Sequence, residues 1–234
     1  DNHTFFSYGD ARSILQITDE DPANANRMLL VYNRQSLNVS AINPGGSIPG
    51  WDSGNSWNRE HTWPRSRGVN SSGDDNSDLH QLRPSNPQVN SNRGNLNFGG
   101  AFGQSFGIVN ESGSDYWYPG DADAGMIARQ QFYMATRYDG SDSATEDLEL
   151  LSGNPGTGSR FLGNLDRLVE WHYEAVPDDF ELRRNDIIYD NYQGNRIPYV
   201  DRPEFVWSVF KDQQNDSQLY VGGSPADNGS STLN

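Results

Sequence analysis

Cysteine is absent from this 234-residue chain, and lysine is nearly so, since Lys211 is the only one. Without cysteine the chain can have neither a disulfide framework nor a thiolate metal site, and a common clue to the compartment is missing. No apolar run approaches the ~20 residues that span a bilayer, which argues against a membrane-spanning helix. The first four residues also lack the basic and apolar regions of a signal peptide, so we expect a mature form if the protein is exported.

Positive charge is scarce, and the formal net charge is −15. A field of this sign repels nucleic acid at long range. Screening limits its reach to about 8–10 Å at ordinary ionic strength, so a local site can still differ from the whole. Of the 17 cationic residues one is lysine, which leaves 16 arginines. Arginine binds phosphate through two parallel hydrogen bonds, whereas lysine acts as a point charge.

Helical periodicity and turn signals follow one another without a repeated strand–helix order, which predicts an α+β fold with residues 1–212 in a single domain. Four helices are expected, over Tyr8–Ile17, Ala124–Tyr138, Leu162–His172 and from Pro203 onward. A buried strand is expected at Met28–Tyr32, and the run 187–189 favours strand within a segment, 180–192, that also fits a helix. The polar stretch 213–234 predicts a tail or linker.

Residues with catalytic potential are concentrated between positions 59 and 95. Glu60 and His61 precede a second strand-like segment at 78–84, and Asn90 lies on a short helix that Ser85 or Asn86 can cap. This layout suits phosphodiester hydrolysis, in which a neutral imidazole takes a proton from water. One carboxylate and one amide oxygen suffice for Mg²⁺, because this ion keeps several of its waters.

The neighbouring positions of Glu60 and His61 place a geometric condition on this site. Adjacent residues on a regular strand face opposite sides of the sheet. Glu60 and His61 can therefore share a site only where the strand departs from regular geometry.

Three segments in this order resemble the signature of the bacterial endonuclease I family: Arg59–Pro64, Asp78–Pro84 and Val89–Asn95. Together with shorter segments the similarity covers residues 5–210. It implies a ββα-metal nuclease core embedded in a mixed, helix-rich single domain. It also implies a periplasmic or secreted bacterial enzyme, without membrane partners, that cuts DNA and often RNA without sequence preference. We expect it to act as a monomer.

The resemblance also implies roles for individual residues. His61 matches the general base, and Glu60 and Asn90 match the ligands of Mg²⁺, for which Mn²⁺ can substitute. The products would carry a 5′-phosphate. The phosphate-binding arginine is not fixed, since the segment that bears it in some family members is short here. Arg65, Arg67 or Arg83 could take its place, and Arg93 also matches a motif position.

Three further residues are candidates for supporting His61. A general base needs its second ring nitrogen held in place, and Asp78 or Asn76 could do so. For His80 we expect a structural role, in which it holds the two strands together or orients its neighbours.

Two other interpretations compete with the nuclease. A secreted acidic module that binds glycans or mediates adhesion without catalysis would fit the acidity and the polar tail, but it leaves the layout of Glu60, His61 and Asn90 unexplained. A metalloprotease lacks its H-E-x-x-H pattern here. The acidic stretches 74–78 and 139–147 invite a structural Ca²⁺ site, but neither has the spacing of an EF-hand loop, so solvated acidic loops are the default expectation.

Overall fold

The computed structural model describes residues 3–211, and the tail predicted at 213–234 lies outside them. The fold is α+β, as predicted. Its helices are α1 (Ala11–Thr18), α2 (Pro87–Arg93), α3 (Asp121–Arg137), α4 (Leu165–Glu174), α5 (Asp179–Asn191), α6 (Pro198–Asp201) and α7 (Phe205–Phe210). Its strands are β1 (Arg27–Leu29), β2 (Ser36–Asn38), β3 (Asn58–His61), β4 (Leu82–Ser85), β5 (Gly107–Glu111), β6 (Ser114–Tyr118), β7 (Glu149–Leu150) and β8 (Phe161–Leu162). Within residues 3–211, no helix is long and apolar enough to cross a membrane.

The strands pair two by two. The pairs β1–β2, β3–β4 and β5–β6 are antiparallel, and β7–β8 is parallel. In the β3–β4 pair, Glu60 lies opposite Arg83 and His61 lies opposite Leu82. Helix α2 begins just after β4 and packs against β3, so these three elements form one contiguous unit.

Two apolar clusters hold this unit in place. The larger is built around α3 and α4 and includes Trp63, whereas the smaller combines α1 with Trp57 and Leu82. Trp57 and Trp63 flank β3 in sequence, and both are fully buried. Burying a large aromatic side chain stabilises the fold by about 2–3 kcal/mol. The strand that carries Glu60 and His61 is therefore anchored at both ends, in different clusters.

The four helices predicted from periodicity are confirmed, except that Leu162 lies in β8 and the third helix begins at Leu165. In the strand-like segment 78–84, strand β4 begins only at Leu82. The strand favoured at 187–189 is wrong. That segment belongs to α5, which begins at an N-cap where the Asp178 carboxylate accepts from the amide of Glu181 at 2.8 Å. The buried positions of α5 follow a helical spacing: Phe180, Glu181, Arg184, Asn185 and Ile188. Three of these five are polar, so the apolar periodicity that identifies a helix is weak in the sequence.

Buried ion pairs tie α1, β4 and α5 together. The Asp19 carboxylate, with no exposed surface, accepts from Nε of Arg83 at 2.6 Å and from Nε of Arg184 at 3.2 Å. Arg83 also lies 4.0 Å from Asp123. Since buried charges are stable only when paired, the guanidinium of Arg83 is committed to this network.

The variant His172→Gln should lose less stability on acidification than the wild type. His172 is buried on α4, where its Nε2–H donates to the carbonyl of Pro203 at 2.9 Å. Burial, followed by the charge of Arg129, lowers its pKa to about 3. From pH 6.5 down to about 3 the unfolded chain binds a proton that the folded chain excludes. Stability is therefore lost as the pH falls through this window, by about 1.4 kcal/mol per unit.

Glutamine keeps an N–H donor for Pro203 but does not titrate. Urea unfolding at pH 6.5 and pH 4.5 measures the difference directly. We expect the loss in His172→Gln to be smaller by on the order of 2–3 kcal/mol. Equal losses in both proteins would show that His172 accepts its proton while folded.

Candidate active site

A cleft of about 410 Å³ lies between β3, the 3-10 turn at Arg65–Arg67 and α2. Among its lining residues are Glu60, His61 and Asn90, so the three side chains predicted to carry the chemistry meet at one surface. His61 is the last residue of β3, and the chain bends away at Thr62. This strand end is where two adjacent side chains come to share a site. A larger cavity of about 560 Å³, lined by Leu148 and other residues, contains none of the predicted site residues.

The imidazole of His61 is held in one tautomer. Its Nε2 lies 2.8 Å from the backbone carbonyl of Asn76, which can only accept, so Nε2 carries the proton and Nδ1 keeps a lone pair. Among the described residues none donates to this Nδ1. Burial lowers the pKa of His61 to about 4, and the charges of Arg65 and Arg59 act in the same direction. The ring is therefore neutral at pH 7 and able to accept a proton at Nδ1.

The carboxylate of Glu60 is buried, and its two oxygens have different surroundings. The hydroxyl of Tyr32 donates to Oε1 at 2.8 Å, and Nε of Arg93 lies 3.5 Å from the same oxygen. No side chain of the described part of the molecule bonds to Oε2. Burial raises the pKa of Glu60 to about 7, against the opposing effects of Arg93 and Tyr32. A desolvated carboxylate with one uncommitted oxygen favours a nearby cation.

Asn90 is placed by the start of α2. The side chain of Asn86 caps this helix by accepting from the amides of Gln88 and Val89 at 3.0 and 3.2 Å, with Pro87 at the first position. Between the alternatives Ser85 and Asn86, Asn86 is thus the cap. One turn later the Nδ2 of Asn90 donates to Oδ1 of Asn58 at 2.8 Å. This bond occupies the nitrogen and leaves the amide oxygen as the atom that could bind a metal.

The four candidate arginines lie in different surroundings. Arg65 is exposed on the wall of the cleft. Arg67 is buried and donates to the carbonyls of Asn95, Pro155, Gly156 and Phe161 at 2.9–3.2 Å. Arg83 belongs to the Asp19 network. Arg93 is buried beside Glu60 and donates to the carbonyl of Thr62 at 2.7 Å. Only Arg65 of the four lines the cleft.

Two cleft residues were not singled out by the sequence as site residues. Tyr8, which lies 53 residues upstream, stacks on His61 with ring centroids 5.3 Å apart. The guanidinium of Arg59 lies 3.5 Å from the centre of the same tyrosine ring and donates to its backbone carbonyl. Arg59 also lines the cleft. The position of Arg59 next to Glu60 could have suggested a role, but nothing in the sequence links Tyr8 to His61.

The three candidate supporting residues take separate places. Asn76 reaches His61 through its main chain. Asp78 is buried among hydroxyls, accepting from Tyr133 and Tyr138 at 2.7 Å each, and no contact between it and His61 occurs within the described chain. Burial by itself raises the pKa of Asp78. The charge of His80 and the hydrogen bonds from the two hydroxyls outweigh this effect, so the pKa of Asp78 lies below its usual value. His80 donates from Nε2 to the carbonyl of Asn195 at 3.0 Å.

The donor atoms in the cleft fit a hard divalent cation. No group of three or more His, Asp or Glu side chains that could hold a metal converges anywhere in residues 3–211. A metal in the cleft would thus be held by the Glu60 carboxylate, neutral oxygens and water. Mg²⁺ accepts such a set, since it binds proteins through one or two carboxylates and retains several waters. Zn²⁺, which prefers nitrogen and sulfur, would find a single imidazole here.

Comparison with known proteins identifies relatives of this chain. The sequence model of the endonuclease I family matches residues 1–204. The chain is also similar to the extracellular ribonucleases of Bacillus amyloliquefaciens and Bacillus subtilis (strain 168). Each is 41% identical over 213 residues, covering 89% of this chain and 70% of the relative.

Proposed function

The chain belongs to the endonuclease I family of nucleases, and from that premise we propose that it is a secreted, non-specific endonuclease that hydrolyses phosphodiester bonds in DNA and RNA. The unit β3–β4–α2 would be its ββα-metal core. The observation that carries the proposal is the convergence of Glu60, His61 and Asn90 on one cleft. The names of the two Bacillus relatives support RNA as a substrate and an extracellular location.

His61 is the general base of the proposed reaction. Its Nδ1 takes the proton of the attacking water, while Nε2–H remains bound to the carbonyl of Asn76. That bond fixes the orientation of the ring and stabilises the positive charge it acquires. Tyr8 covers one side of the ring and restricts its rotation.

Glu60 and Asn90 would hold Mg²⁺ through a carboxylate and an amide oxygen. When bound, the ion neutralises charge that develops on the phosphate and on the leaving 3′-oxygen. Tyr32 and Arg93 fix the carboxylate of Glu60 from behind, and Asn58 fixes the amide of Asn90. Arg65, exposed on the cleft wall, is placed to hold the phosphate. The products would carry a 5′-phosphate and a 3′-hydroxyl.

A metal titration tests this proposal. Asn90→Ala should raise the Mg²⁺ concentration needed for half-maximal cleavage by about tenfold or more, because even indirect changes around a metal cost about 10–100-fold in affinity. Asn92→Ala is the matched control, since it removes an exposed amide from the same helix without touching the cleft. Excess EDTA should stop the wild-type enzyme. Undiminished cleavage in EDTA, or equal titrations for both variants, would contradict the metal mechanism.

A further inference from the structure

Most arginines of this protein are neutralised within the fold. All sixteen lie in the described residues, and ten have a carboxylate oxygen within 4.0 Å: Arg34, Arg83, Arg93, Arg129, Arg160, Arg167, Arg183, Arg184, Arg196 and Arg202. Three of the other six are engaged in other ways. Arg27 bonds to Ser36, Arg67 bonds to main-chain carbonyls, and Arg137 lies against Tyr138.

The remaining three, Arg12, Arg59 and Arg65, lie at or beside the cleft. Arg59 and Arg65 line it. The guanidinium of Arg59 lies over Tyr8 and 5.2 Å from the centre of Trp51, and that of Arg12 lies 5.8 Å from the same indole. Burial lowers the pKa of Arg59, and the nearby positive charge of Arg12 lowers it further.

Each of these three side chains has hydrogen-bond donors that no acceptor in the described residues uses. Arg59 uses one terminal nitrogen on the carbonyl of Tyr8, and its Nε is buried without a partner. Arg12 uses only Nε, on the carbonyl of Gly9 at 2.7 Å. Arg65 makes no hydrogen bond or ion pair within the described chain. Asp10, the carboxylate that Arg12 influences, is exposed and already bonded to Ser7 at 2.6 Å. A guanidinium with free donors and no counter-ion is suited to a phosphate.

We propose that Arg12, Arg59 and Arg65 form a phosphate track that holds the sugar–phosphate backbone of the substrate strand beside the scissile bond. Tyr8 and Trp51 support the track by stacking on two of the guanidiniums, which keeps them extended. This inference rests on the proposed nuclease function and adds to it the surface on which the flanking strand lies.

The track also resolves how an acidic protein binds a polyanion. At a net charge of −15 the protein repels nucleic acid as a whole. Positive charges without a carboxylate partner beside the cleft create local attraction, and carboxylate partners cancel most of the others. Substrate binding would then depend on a few contacts, each of which releases counterions from the strand.

The test is the salt dependence of binding. His61→Ala serves as the background so that the strand is not cut, with a fluorescent oligothymidylate of about ten nucleotides as the probe. Arg12→Gln should weaken binding about fivefold at 0.1 M NaCl and reduce the slope of log K against log[NaCl] by about 0.7, the value for one phosphate contact on a single strand. Arg12→Lys keeps the charge and should keep the slope.

Arg202→Gln is the matched control. Arg202 also lies on an aromatic ring, that of Phe205 at 5.1 Å, but it is paired with Glu204. This variant should leave the slope unchanged. If Arg12→Gln also leaves the slope unchanged, or if both variants lower it equally, the track does not exist. Wild-type cleavage of the same oligonucleotide, followed on a gel, tests the nuclease function separately, so a failed track and a failed enzyme give different results.

Discussion

Replacing His61 with alanine should lower turnover by about 10²–10⁴, the usual contribution of a positioned general base. The mutation removes the lone pair of Nδ1, and among the described residues no second neutral imidazole lines the cleft. Water would then attack the phosphodiester without transferring its proton to a base. The carbonyl of Asn76 loses one hydrogen bond, which costs about 1 kcal/mol of stability, so the protein should remain folded.

Initial rates of plasmid degradation at saturating Mg²⁺ measure this effect. His172→Gln provides the control, because it removes a histidine from the core without touching the cleft, and its rate should stay within about twofold of wild type. Retention of more than about a third of wild-type turnover by His61→Ala would show that another group accepts the proton.

The second large effect concerns stability. Asp19→Asn should cost about 3–5 kcal/mol, because it leaves Arg83 and Arg184 buried without the charge that both share. Both guanidiniums donate to this one carboxylate, and the three side chains are almost completely excluded from water. The amide that replaces it is uncharged and can accept through only one of its two terminal atoms.

Urea denaturation compares this variant with Asp186→Asn. Asp186 pairs with Arg196 at 2.8 Å, but it is exposed, and such surface pairs contribute about 0–1 kcal/mol. A loss below 1 kcal/mol in Asp19→Asn would mean that the two arginines find other partners.

The network also reaches the cleft, since Arg83 lies 4.0 Å from Asp123, whose other oxygen accepts from the amide of Tyr32 at 2.9 Å. Tyr32 in turn holds Glu60, so we expect weaker Mg²⁺ binding as well.

The part of the site that the sequence predicts is the part made by side chains close together in the chain. Glu60 and His61 are adjacent, and Asn90 follows on a helix whose start is marked by Asn86 and Pro87. The capping signal is local, so the position of the helix can be deduced without knowledge of the fold. The assignment of these three residues to base and metal ligands stays a prediction.

The rest depends on contacts between distant segments. Arg65 and Arg67 are two residues apart and equally cationic, yet one is exposed on the cleft and the other is bound to carbonyls about 90 residues further on. Composition and periodicity cannot separate such a pair. The partner of His61 is a main-chain carbonyl, which every residue type possesses, so the identity of residue 76 does not reveal it. In α5 the polar residues on the buried face conceal the helical period.

The contacts of Arg67 also bear on the order in which the enzyme is made. The 3-10 turn at Arg65–Arg67 forms one wall of the cleft, and it is fixed to the carbonyls of Pro155, Gly156 and Phe161. A chain synthesised from its amino terminus therefore contains Glu60, His61 and Asn90 well before the segment that fastens this wall. A ribosome-bound chain that stops short of residue 155 has every proposed catalytic side chain but lacks the clamp that shapes their cleft. Full assembly of the site thus waits until the nascent chain has moved well past its own catalytic residues.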